Sequence, residues 1–179
     1  GVFTYLDTLA RQLIVLKPQS KVRYALDKKT VFDALPLTGL KVDARRRMLR
    51  GNEVFDHVAL HGKLVSGRKL MLAKNFPPEV EKLESRLRQS GALVHAQPVR
   101  DPDNGKLQEM RYEVHADFVL SVRVTPDHDR GRLAFHLVNF DGFETVDVAF
   151  PATEVGSGRL DELARWLLGE PHRFLDGGQ

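Results

Sequence analysis

A chain of 179 residues, 42% of them hydrophobic and 28% charged, is long enough to bury one sizeable core and has the balance of an ordinary globular domain. It contains no cysteine, which excludes a disulfide framework and any thiolate metal site, and no apolar run approaches the roughly 18 residues that a membrane-crossing helix needs. The formal charge of +3 hides a polarity along the sequence: residues 1–74 hold fifteen Lys and Arg against six Asp and Glu, a net +9, whereas residues 75–179 hold twelve against eighteen, a net −6.

These bounds predict a single globular domain over residues 1–179, which the elements below make α+β. The opening Gly in place of Met reads as a tag remnant or an excised segment of a longer chain. The short LIVL run at residues 13–16 has neither a basic segment before it nor a small-residue cleavage site after it, so the expected compartment is the cytoplasm.

In chain order, Val2, Leu6, Leu9, Leu13 and Leu16 recur at helical spacing and predict an amphipathic helix that Pro18 ends. Such a helix packs on a core or binds a partner. Residues 20–40 are irregular, with a short helix expected over 29–35. A hairpin turn at Gly51-Asn52 joins Arg46–Arg50 to a strand from Glu53, the alternative being a short helix from Asp43 to Arg50. Ser66-Gly67 then reads as a second hairpin turn between strands 53–65 and 68–74.

A helix over residues 77–90 has Asn75 as its candidate cap, Pro77 and Pro78 in its first turn and Gly91 at its end. A second runs from about Arg159 to Leu168. Between them lies a meander: 93–99, then 111–124 with apolar even positions, then 132–140 and 143–150 joined by Asp141-Gly142. The architecture that results is an antiparallel sheet of about five to seven strands with helices on its apolar face.

Two groups of residues are candidates for function. Arg45, Arg46, Arg47 and Arg50 are a dense basic run that suits an acidic partner such as nucleic acid or an acidic protein, because clustered cations release condensed counterions on binding. A plain solvated face explains the same run, and only Tyr24, Phe32 and Phe55 lie near enough in sequence to stack on bases.

The second group comes from strand register. A two-residue turn at Asp141-Gly142 sets His136 opposite Asp147, and aligning Val122 with Leu133 brings Asp117 onto the diagonal, with His115 further along and His95 opposite Glu113. Imidazoles beside carboxylates are what a metal site or acid–base chemistry needs, so His115, Asp117, His136 and Asp147 are candidate metal or ligand residues. Dispersed cross-strand charge pairs on a hydrated sheet are the simpler account. No cofactor is implied.

His57 and His61 have the spacing of a zinc-binding helix but lack its glutamate and sit in strand-like sequence. No Gly-x-Ser-x-Gly elbow and no phosphate-binding loop is present. The sequence therefore points to a binding module rather than an enzyme, engaging an acidic partner through its basic half. The alternatives are a ligand or metal protein using the polar sheet face, or an assembly subunit bound through the N-terminal helix.

Overall fold

The alternation centred on 111–124 is realised in one strand from Leu107 to Asp127, in which every even residue from Tyr112 to Val124 is buried. The computed structural model describes residues 1–179. In order these form α1 (Val2–Leu16), β1 (Tyr24–Ala25), β2 (Val31–Phe32), β3 (Leu37–Leu49), β4 (Asn52–Lys74), α2 (Pro77–Ser90), β5 (Leu93–Arg100), β6 (Leu107–Asp127), β7 (Arg132–Val138), β8 (Thr145–Pro151) and α3 (Ser157–Leu167).

Strands β3 to β8 make a six-stranded antiparallel sheet, and β1 with β2 a two-stranded one. The long strand β6 is the spine. Along one edge it pairs with β4 from Val58 to Lys74, and β3 lies outside β4. Its other edge is shared, β5 pairing with the first half and β7 with the second, and β8 flanks β7.

Between β5 and β7 the edge of β6 has no strand neighbour. There the buried Asn139 amide donates to the Val119 carbonyl at 2.8 Å and to the Gln89 carbonyl at 2.9 Å, standing in for a missing ladder rung.

One cluster of 32 buried residues unites the even side of β6 with stripes from all three helices and with Phe174. Burial of each large apolar side chain there contributes about 1.5–3 kcal/mol. From α1 the core takes Leu6, Leu9, Ala10 and Leu13; Phe118, Leu120, Phe135, Leu137 and Val148 share the sheet's inner face as the alternation requires, with Val146 half-buried. The odd residues of β6 point the other way, and no helix covers them.

The structure differs from the sequence reading at several points. Residues 29–35 form no helix: β1 and β2 make a hairpin there, tied by Asp27, whose carboxylate accepts from the N–H groups of Lys29 and Thr30. The turn after β3 is Arg50-Gly51, one residue earlier than expected, because a two-residue turn of this kind needs positive φ at both positions, and here φ is 53° and 82°. Ser66-Gly67 is a bulge inside the continuous strand β4. Asp117 on the neighbouring strand accepts the Ser66 and Gly67 N–H groups at 3.1 Å each, which holds the extra residues without a chain reversal.

At the other hairpins, Leu137↔Val146 and His136↔Asp147 pair as expected, but the ladder stops at Val138↔Thr145 and residues 139–144 form the connection. The β6–β7 register is displaced by four residues, Val122 pairing with Leu137 instead of Leu133. Pro126 stays in the strand because β4 has already diverged on the side its missing N–H would face. The cap of α2 is Phe76, without a side-chain bond, instead of Asn75.

The Gly-rich C-terminal tail, where a chain end ordinarily frays, is pinned. Phe174 is fully buried, Arg159 donates to the carbonyls of Phe174 and Asp176, and Gln179 exchanges two backbone hydrogen bonds with Ala149 on β8. A Cβ on Gly178 would overlap the Val148 side chain, so this close crossing requires glycine.

Candidate functional site

The basic run lies on a two-stranded arm. Val58 is the last residue of β4 to pair with β6, and from there outward the β3–β4 hairpin pairs only with itself. From Ala44 to Glu53 only Leu49 is half-buried, and the remainder is exposed. A bulge at the arm's base, where Arg45↔His57 is followed by Arg46↔Phe55, leaves Asp56 as the extra residue and turns Phe55 inward. Phe55 stacks on Phe3 of α1 at 5.7 Å, and the Arg46 guanidinium lies 5.0 Å from the Phe55 ring.

Strand alternation splits the four arginines. Arg45 and Arg47 project to the outer face, away from the helices; Arg46 projects to the inner face, and Arg50 occupies the tip. Arg46 pairs with Glu53 at 3.5 Å, Arg47 with Asp56 at 3.4 Å and Arg50 with Asp129 at 3.7 Å. These exposed pairs are each worth at most about 1 kcal/mol.

Beyond the arm, register brings further cations to the same outer face. Lys41 opposes His61, Arg123 opposes Ala59 and Lys63 opposes Val119. Lys41 lies 3.9 Å from Asp43, whereas Arg45, Lys63 and Arg123 are exposed and have no carboxylate within ion-pair distance. Their convergence depends on pairing between β3, β4 and β6, which no local run of sequence displays. The one local sign is that Lys41, Arg45 and Arg47 lie at even spacings, four and two residues apart, with Asp43 in the same series.

The His and carboxylate candidates are only partly brought together. His136 Nδ1 lies 2.6 Å from Asp147 Oδ1, as the turn predicts, and this pair lines a shallow depression of about 340 Å³ with Arg123, Thr125 and Gln179. Because of the four-residue displacement, His136 sits opposite Arg123 and not beside Asp117. Asp117 is committed to the β4 bulge.

His115 lies on the other half of the sheet, 3.7 Å from Glu113. The Lys69 ammonium, 2.8 Å from Glu113, holds that carboxyl below the usual carboxylate range, with His115 and His95 adding to the effect. His61 with Asp43 and His57 with Asp56 repeat the same motif at 3.5 and 4.0 Å. Nowhere do three His, Asp or Glu side chains converge as a metal-binding group. The outer face thus carries separated imidazole–carboxylate pairs among a larger set of cations.

Tyr24 and Phe32, candidates for base stacking, are buried in the core, and Phe55 lies under Arg46. Phe76, ahead of α2, is the one exposed aromatic. The apolar stripe of α1 is spent on the core, leaving Ile14, Val15 and Leu16 exposed at its end. No helix is long and apolar enough to cross a membrane. Comparisons with protein-family models, with curated proteins and with solved structures returned no match.

Proposed function

We propose that this protein is a binding module that engages an acidic polymer, nucleic acid foremost, across the outer face of its sheet. The observation that carries the reading is that Arg45, Lys63 and Arg123 are exposed on one face without ion-pair partners, beside Lys41 and Arg47, whose carboxylate contacts are weak and exposed. A polyanion meeting these groups displaces condensed counterions and breaks little existing structure. Arg50 and Lys69 do meet carboxylates of the acidic half, Asp129 and Glu113, but β6 of that half also brings Arg123 to the same area.

Binding of fluorescently labelled heparin and of labelled mixed-sequence nucleic acid, followed by anisotropy at low and raised salt, tests the reading. The wild-type protein is expected to bind both at low salt and to release them as salt rises. Lys63→Ala with Arg123→Ala is expected to weaken binding and flatten the salt dependence, and Arg46→Ala, on the inner face, to have the smaller effect. Absence of binding at low salt, or binding indifferent to salt, would overturn the proposal.

A further inference from the structure

Resting on that reading, we infer that the polymer is double-stranded DNA in the B form and that the β3–β4 arm seats in its major groove. The arm has the required shape. Two antiparallel strands lie about 4.8 Å apart, and the roughly six residues on each side of the turn reach about 20 Å. A B-form major groove about 12 Å wide admits a ribbon of this kind.

The arm also has a defined way to enter. On its inner side Phe55 is packed on Phe3, so α1 blocks approach from that direction at the base of the arm. The outer side is open, and a ribbon entering outer face first would carry Arg45 and Arg47 to the phosphates that rim the groove. Lys63 and Arg123, further down the same face, then meet the flanking backbone. The Arg47–Asp56 and Arg50–Asp129 pairs are solvent-exposed at 3.4 and 3.7 Å, so a phosphate can compete for either guanidinium.

The same geometry disfavours the other nucleic acids. Duplex RNA has a deep, narrow major groove that a ribbon cannot enter. Sequence-tolerant binding of single strands relies on aromatic platforms for successive bases. The outer face has none, since the exposed aromatic, Phe76, precedes α2 and the remaining rings lie in or against the core.

The test compares a DNA duplex, an RNA duplex of the same sequence and a single-stranded DNA with the same number of phosphates, each competed against labelled heparin on the full chain. The DNA duplex is expected to bind at least several-fold more tightly than either rival. Arg45→Ala with Arg47→Ala is expected to abolish that preference and to lower the slope of log affinity against log salt by about two, one for each phosphate no longer neutralised. Arg45→Lys with Arg47→Lys keeps the charges and is expected to retain the slope, which separates the removal of these cations from a failure to fold. Equal or tighter binding of the RNA duplex or the single strand, with heparin binding intact, overturns the inference, as does a preference unchanged in the alanine variant. Failure to bind heparin or any nucleic acid overturns the reading beneath it.

Discussion

Asn139 is where the most distant parts of the chain meet. Its amide spans Val119 and Gln89, its Oδ1 accepts from the Gln89 side chain, its N–H donates to Glu144 and its carbonyl accepts from the buried Tyr24 hydroxyl at 2.6 Å. It also holds a φ of 63°, which asparagine tolerates better than most residues. Asn139→Ala orphans buried carbonyls and is expected to cost about 3 kcal/mol in urea unfolding; Asn139→Gly, which removes the same amide but relieves the backbone strain, is expected to cost nearly as much. Asp27 is the second residue to test. Burial raises its pKa, but hydrogen bonds from Lys74 and from the Lys29 and Thr30 backbone outweigh that and leave it below the ordinary value. A carboxyl depressed on folding stabilises fully above the unfolded value of about 4 and loses that contribution as pH falls through the folded value. Asp27→Asn is therefore expected to destabilise by about 1–2 kcal/mol at pH 7, with the gap from wild type closing in acid. The role of Asn139 could not be read in the sequence, since its partners lie far along the chain and across a gap between strands, and of Asp27's partners only Lys29 and Thr30 are local, Lys74 being distant.

The arm runs beyond the pairing of β4 with β6 and touches the β6–β7 turn, where His128 Nε2 lies 3.2 Å from the Phe55 carbonyl. Its ladder joins no third strand, and its base is fixed by Phe55 on Phe3. Phe55→Ala is expected to speed amide hydrogen exchange in residues 44–55 while leaving exchange in β6 unchanged, and uniform acceleration throughout the sheet would refute this local tether. The strands of the main sheet show how much of the fold is legible in the sequence. Alternation placed β6 and its buried face correctly, because apolar spacing of two has one structural meaning over so long a run. The β6–β7 register slipped by four because any even displacement keeps the same residues inside, so hydrophobicity alone does not distinguish the two pairings. Ser66-Gly67 looked like a reversal for a related reason: the carboxylate that makes it a bulge is Asp117, on another strand. That slip decided the fate of the His and carboxylate candidates, moving His136 from the neighbourhood of Asp117 to that of Arg123.

At the scale of the molecule, one side of the sheet is devoted to the core and the other to charge. The core closes with the tail, where Phe174 fits against Phe135, Phe150 and Trp166 at centroid distances of 5.2, 5.3 and 5.9 Å. Phe135→Ala is expected to cost about 3–5 kcal/mol of stability, measured by denaturant unfolding. The charged side is the proposed binding face, on which a polyanion is expected to touch the outer face and the arm and nothing behind them. Titrating the isotopically labelled protein with a short DNA duplex and following backbone amide and arginine side-chain NMR signals tests it most directly. Shifts are expected to concentrate at Lys41, Arg45, Arg47, Lys63 and Arg123, with α2 and α3 unperturbed. Shifts mapping to the helical side, or an unchanged spectrum with DNA in excess at low salt, would contradict it.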